Sequence, residues 1–387
     1  MDKSVLDIVR QWSGKKFREE CIGHSYEGRE IRAFTFGDGQ TRILAWSQMH
    51  GNEPTSTLAL LDAMSSIEND DERAELLRHK ITITAIPLLN PDGCILHDRR
   101  NAQGIDINRD AQSLISPEAK ILMSAWERLR PQFAYNLHDQ ETRYTTLTPP
   151  TPTLIAMLAP ECSPDHAVTP ARENAMRLIA HTANYLYKHC GDTIGRIARY
   201  DDVYTPTAFG DTFMRLGTSS ILIEAGSMPG DPQRVHARQA MATAIVEGWS
   251  AIAKNELSSS TVQEYDSLPL NKDYDGAEIV IEGVAIHDPL GDYKADLGIR
   301  RVKTSCNPED FIDDSHDLRV MNIGDLSSLP AITRTGQQGY TLQGSHKDLY
   351  IGCKASDLTL IAPDGSRING YTLIESIIHA SSSGNTN

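Results

Sequence analysis

The sequence predicts an α/β fold: a mixed, mainly parallel central sheet flanked by helices, followed by a small C-terminal β-rich domain. Three observations carry this expectation. Over the first 255 residues, apolar β-branched runs of strand length alternate with segments of helical periodicity. The polar stretch 256–276, opening on Glu256-Leu257-Ser258-Ser259-Ser260, then reads as a linker. From 277 to 387 the texture changes to short strand-like pieces punctuated by Gly, Asp and Asn.

Taken in order, residues 2–11 read as a short helix, and 31–35 and 43–46 as strands. Residues 55–67 have helical periodicity, and Pro54 before them suits a first turn, where its missing N–H is no loss. Residues 80–87 alternate with β-branched side chains, a strand, and Asn90-Pro91-Asp92-Gly93 reads as a turn. Helices follow at 117–129, 171–187 and 232–254, with strands at 133–137 and 219–223. In the last domain, 277–286, 299–304, 318–323, 358–361 and 370–374 read as strands.

A chain of 387 residues with 40% hydrophobic and 23% charged content is an ordinary globular protein. The net charge of −15 weighs against a nucleic-acid partner, whose phosphates need a basic surface. No apolar run reaches the length of a membrane span, so no membrane partner is expected. The segment Met1 to Asp7 lacks the basic and apolar regions of a signal peptide, which points to the cytoplasm; a leader removed beforehand would move the expectation to the periplasm or outside the cell. Six widely spaced cysteines without a C-x-x-C pair read as reduced, mostly buried thiols. Any metal must therefore be held by histidine and carboxylate.

His50-Gly51-Asn52-Glu53-Pro54 puts two metal-grade side chains three apart where a strand gives way to a helix. A distant third ligand would complete a catalytic zinc site, which keeps a position open for water. His138 ends the apolar run Phe133 to Leu137 and supplies that candidate. Glu224 ends the run Ser220 to Ile223, where a carboxylate is costly unless it is paired or functional. As a catalytic group it would take a proton from the attacking water and give it to the leaving amine. Asn108 and Arg109 stand side by side, and a guanidinium grips a carboxylate through two parallel hydrogen bonds. Arg99 and Arg100 lie upstream; either could face an oxyanion, and both could equally be solvated.

His50-x-x-Glu53, Asn90-Pro91-Asp92-Gly93, Arg99-Arg100-Asn101-Ala102-x-Gly104-x-Asp106-x-Asn108-Arg109, His138 and Glu224, in this order and spacing, resemble the zinc carboxypeptidases of the carboxypeptidase A type. The resemblance spans about residues 40 to 226. It implies one zinc ion per chain held by His50, Glu53 and His138, with Glu224 as general base. It further implies that Asn108 and Arg109 hold the substrate's terminal carboxylate and that Arg99 polarises the scissile carbonyl. The family's mobile tyrosine matches Tyr204 best, with Tyr200 as competitor, and its specificity pocket falls near Thr207 to Asp211. The expected activity is that of a zinc metallocarboxypeptidase acting on the C-terminal amide bond of peptides.

Two features depart from the digestive members of that family: no activation segment is evident, and a β-rich extension follows the catalytic part. Such extensions occur in the related N-acyl amino acid deacylases, the aspartoacylase and succinylglutamate desuccinylase group, where they narrow the entrance. A zinc-dependent amidohydrolase of small carboxylate-bearing amides is thus the alternative, and a non-catalytic zinc-binding module a third. The sequence sets no oligomeric state.

Overall fold

The structure, a computed structural model, describes residues 4–383 apart from 147–149, 192, 194, 202, 229–230, 232, 304–315, 337 and 345–346. In chain order, the strands before residue 226 are Arg18–His24 (β1), Glu30–Phe36 (β2), Thr41–Ser47 (β3), Ile81–Ile86 (β4), Phe133–Asp139 (β5), Tyr144–Thr146 (β6), Thr151–Pro152 (β7), Ile155–Leu158 (β8), Ile197–Arg199 (β9) and Ser219–Ala225 (β10). Eight of them form one sheet in the order β1-β2-β4-β3-β5-β10-β8-β9. The central pairings β4–β3, β3–β5 and β5–β10 are parallel, as is β8–β9, while β1–β2, β2–β4 and β10–β8 are antiparallel. The sheet is therefore mixed and mainly parallel, as the alternation of strand and helix patterns predicts.

The helices of this part are Val5–Gln11 (α1), Pro54–Glu68 (α2), Asp71–Arg78 (α3), Pro91–Leu96 (α4), Pro117–Leu129 (α5), Pro170–His189 (α6), Phe209–Arg215 (α7) and Val235–Lys254 (α8). They cover both faces of the sheet, so its middle strands are apolar on each side. One face buries Ile43, Ile83 and Tyr135 under Met64 of α2, Ile179 of α6 and Trp249 of α8. The other buries Leu44, Trp46 and Ala134 under Trp126 of α5 and Phe209 and Phe213 of α7. Start signals match their expected chemistry: Pro54, Pro117 and Pro170 occupy first-turn positions, and Ser116 caps α5 through a bond from Ala119 N–H.

Three expectations are corrected. Asn90-Pro91-Asp92-Gly93 is not a free turn but the cap and first turn of α4, with the Asn90 side chain accepting from Gly93 N–H at 2.9 Å. The stretch 256–276 is not loose. It contains the helix Val262–Asp266 (α9), closed by a capping box between Thr261 and Glu264, and the strand Lys272–Asp273 (β11), which pairs with β6. Leu257, Tyr265 and Leu268 of this stretch are buried in the core of the larger sheet.

The remaining strands, Ala277–Ile286 (β12), Tyr293–Lys303 (β13), His316–Gly324 (β14), Ala331–Arg334 (β15), Thr341–Gln343 (β16), Thr359–Ile361 (β17) and Arg367–Asn369 (β18), form a separate sheet with its own core. Here the third correction falls. Residues 370–374, expected as a strand, open the helix Gly370–Ser383 (α10), whose Leu373, Ile374 and Ile378 pack into that core. The short window 370–374 reads as β-rich, and only the continuation to Ile378 reveals the helical spacing. Of the cysteines, Cys94, Cys162 and Cys353 are buried, Cys190 half-buried and Cys21 exposed, all as free thiols; Cys306 lies outside the described residues. No described helix is long and apolar enough to cross a membrane.

Candidate metal centre

The site grows from the carboxyl ends of β3, β5 and β10, where an open α/β sheet offers a crevice. Leaving β3, the chain turns at Gln48, which holds a left-handed φ of 48° and is fixed by bonds from its amide to Gly51 O and from Thr57 Oγ1 to its carbonyl. Gly51 then passes against α4 so closely that a Cβ there would lie 1.9 Å from the Gly93 carbonyl carbon. This contact ties the first ligand loop to the Asn-Pro-Asp-Gly segment: Gly51 makes room for the backbone of Gly93, and Gly93 in turn makes room for the Asn90 side chain and the Arg100 carbonyl. His50 and Glu53 are thereby aimed at His138 on the end of β5.

The three side chains are buried, and their donor atoms lie within 4.8 Å of one another. Both imidazoles present Nδ1 to the same carboxylate: His50 Nδ1 is 2.8 Å from Glu53 Oε1, and His138 Nδ1 is 2.7 Å from Glu53 Oε2. Two imidazole nitrogens and one carboxylate oxygen are the donor set of a catalytic zinc site, and their buried convergence fits that ion. Burial works against the His50 imidazolium, yet the Glu53 charge and bonds to Asp106 and Glu53 raise its pKa. Burial instead dominates at His138 and lowers its pKa. Glu53 is opposed by burial too, but the two histidines hold it well below the usual carboxylate range.

Two supporting carboxylates were not assigned a role from sequence. Asp106 accepts from or pairs with His50 Nε2 at 3.1 Å, and it receives Arg99 Nε at 3.0 Å and Asn108 N–H at 3.0 Å. A carboxylate on the far nitrogen fixes the ring and its tautomer. Asp139 takes the N–H groups of Thr55 and Ser56 at 2.7 Å each, acting as the cap of α2. Glu53 stands at the cap position but makes no capping bond, because its oxygens are turned to the histidines. Asp139 thus pins the Glu53 loop to the strand end that carries His138. Burial pushes its pKa up to about 6, against the pull of Arg234. Its signal in the sequence was its place beside His138 at a strand end.

Around this centre lies a cleft of about 570 Å³ whose walls include Arg99, Asn108, Arg109, Tyr200, Asp211 and Glu224. Glu224 is in register with His138 across β10 and β5. Its Oε2 is buried with no hydrogen-bond partner. Burial first, then the Glu53 and Asp139 charges, raise its pKa well above the normal value. Arg99 Nη1 lies 3.2 Å from His50 Nδ1 and 3.6 Å from Glu53 Oε1, so the expected carbonyl-polarising arginine does reach the centre. Arg109 borders the cleft, and its Nη1 donates to Asn108 O at 2.8 Å. Asn108 Oδ1 is already engaged by the N–H of Phe209 at 3.1 Å, which anchors the start of α7. Of the two tyrosines, Tyr200 lines the cleft with its ring tilted against that of Tyr144, whereas Tyr204, preferred from spacing, is not part of the lining.

Asp211 faces the same cleft, and burial raises its pKa to about 6 while a bond from Thr205 N–H and the Arg109 charge pull the other way. A carboxyl raised from 3.8 to about 6 stabilises the fold fully below pH 4 and loses that contribution as pH climbs through 6. Asp211→Asn keeps an acceptor for Thr205 and removes the charge. It should therefore raise Tm at pH 8 and flatten its fall between pH 4 and 6, by up to roughly 2–3 kcal/mol at about 1.4 kcal/mol per pKa unit. Thermal denaturation across pH 4–8 measures this, and an unchanged pH profile would refute the assignment.

Comparison with known proteins agrees with this geometry. The zinc carboxypeptidase family model matches residues 6–143. An uncharacterised protein of Zymomonas mobilis is 28% identical over 141 residues, 35% of this chain and 37% of that protein. Carboxypeptidase 2 of Trichophyton tonsurans is 28% identical over 100 residues, 25% of this chain and 19% of that protein. The chain thus spans well under two thirds of the length of these relatives. Among solved structures, a Shewanella denitrificans protein assigned as a carboxypeptidase A superposes with a TM-score of 0.51 at 16% identity, covering 65% of this chain and 68% of that one, which is a likeness of fold. The resemblance read from the ordered motifs stands: residues 6–143 match the zinc carboxypeptidase family model, and the larger sheet is similar in fold to a carboxypeptidase structure.

Proposed function

We propose that the chain is a zinc metallocarboxypeptidase, hydrolysing an amide next to a free carboxylate. One observation supports this above the rest: the buried His50-Glu53-His138 cluster, the Glu224 carboxyl with its unpartnered Oε2 and the Arg109 guanidinium border one cleft. Zinc held by the three ligands would supply Lewis acidity and bring the pKa of a coordinated water to roughly 7. The chain's own residues do the remainder. Arg109 receives the terminal carboxylate and sets the distance from that end to the scissile bond. Glu224, whose burial makes it a strong proton acceptor, takes the proton of the attacking water and hands it to the leaving amine. Arg99, beside Glu53 and held by Asp106, offers N–H groups to the oxygen that gains charge.

Arg109→Ala should raise KM for substrates with a free C-terminus by about 10–100-fold, because a charge-assisted pair of bonds is lost, and leave amidated substrates unaffected. Comparing hydrolysis of a free-acid peptide and its amide measures this; equal discrimination in both proteins would remove Arg109 from the role.

One observation favours a second reading, an N-acyl amino acid amidohydrolase. Arg143 in the cleft wall pairs with Asp273 at 3.1 Å, on the strand four residues before the C-terminal sheet begins, so the chain enters that sheet from the cleft rim. Release of C-terminal residues from short peptides, measured against release of small acids from acyl amino acids, separates the two. Activity confined to acyl amino acids would overturn the peptidase.

A further inference from the structure

We infer that Arg234 is a positioning residue for hydrolysis: its buried guanidinium ties the end of β5, which carries His138, to the end of β10, which carries Glu224, and so fixes the general base against the metal centre. The inference rests on the function proposed above. Arg234 is only 4% exposed and stands just before α8 in the left-handed region, at a φ of 52°. A residue other than glycine stays there only where its surroundings hold it. Arg234 occupies the cap position of α8 yet makes no capping bond with its side chain. Asp231 caps the helix instead, accepting from Val235 N–H at 2.9 Å and His236 N–H at 2.7 Å. The guanidinium turns inward, and its Nη1 donates to Gln140 O at 2.8 Å and to Ala225 O at 3.3 Å. The first ligand loop divides its work in the same way: Glu53 stands at the cap of α2 without capping it, and Asp139 takes the bonds.

The two carbonyls close one strand pair. β5 and β10 run parallel, with Glu224 opposite His138 and Ala225 opposite Asp139. Past that register the pair gains one more bond, from Gln140 N–H to Ala225 O at 2.9 Å. Arg234 reaches both sides of this closing bond, two residues beyond His138 and one beyond Glu224. Elements open most readily at their ends, and there a sideways drift would part the base from the ligand. A permanently charged, planar donor group holds two carbonyls more firmly than neutral contacts would. Its charge also lies close enough to Asp139 and Glu224 to oppose the effect of burial on both carboxyls.

The test uses the full chain loaded with zinc, and whichever of a short free-acid peptide and an acyl amino acid the wild type hydrolyses. Arg234→Met should keep the metal and the wild-type KM and lower kcat by about 10–100-fold, the scale of a misplacement on the order of 1 Å. Arg234→Lys, a point charge on a more flexible stem, should give a kcat between the two. An arginine that only stabilises the fold predicts a lower Tm with unchanged kcat in the folded, zinc-loaded variant, and that result overturns the inference. A raised KM with unchanged kcat overturns it too, because it would place Arg234 in substrate binding. If Arg234→Met does not fold, Arg234→Lys carries the decision, and a wild-type kcat there is the overturning result. A zinc-loaded wild type that hydrolyses neither substrate sinks the function proposed above and this inference with it, whereas an active wild type matched by Arg234→Met sinks this inference alone.

Discussion

Glu224→Gln should retain zinc and lose turnover by roughly 10²–10⁴-fold, the range for removing a positioned general base. The amide keeps the shape of the side chain and the β10 register opposite His138, so the ligands stay in place. What disappears is the basicity that burial and the neighbouring Glu53 and Asp139 charges create. Loss of that buried charge should also leave the fold as stable or more so, because an ionised Glu224 has no partner for Oε2. Parallel measurement of metal content, Tm and kcat checks this, and a variant retaining wild-type kcat would refute the general-base role.

The second large effect is expected at Glu53. It bridges both imidazoles, so Glu53→Ala removes one ligand and releases the other two from a common geometry. Zinc affinity should fall by more than the roughly 10–100-fold seen when outer partners of a metal site are changed. In the intact protein, binding must displace the proton that His50 holds above its usual pKa. Affinity should therefore rise with pH through that raised value and weaken below it. Metal analysis of the dialysed variant, with chelator competition at several pH values for the wild type, tests both. Full zinc occupancy in Glu53→Ala would refute the ligand set.

The helices and central strands were legible because their signals are periodic and local: α5 runs over the very residues, 117–129, that its pattern delimits. The ligand cluster was legible because His50 and Glu53 are close in sequence and His138 and Glu224 each end an apolar strand. What was not legible depends on contacts across the fold. Asp139 caps a helix more than eighty residues away. The choice between Tyr200 and Tyr204 turns on which side of a loop faces the cleft, and spacing carries no such information. Asn108 shows the same limit from the other side: it lines the cleft, but its Oδ1 is already committed to the backbone of α7. In the stretch 256–276, polar composition hid Tyr265, a single aromatic side chain that seals the first core.

The pairing of β6 with β11 has a topological consequence. Tyr144, on the rim of the cleft, sits in a three-stranded ribbon whose edge strand β11 is reached only after the chain has left α8, traversed α9 and returned. Asn271, just before that strand, donates to Gln140, two residues past His138. The cleft is therefore completed by residues that look, along the chain, as though they belong to what comes next. A severed first domain ending at Lys254 would be a bowl without part of its rim, and the unit that owns the site extends at least to Asp273.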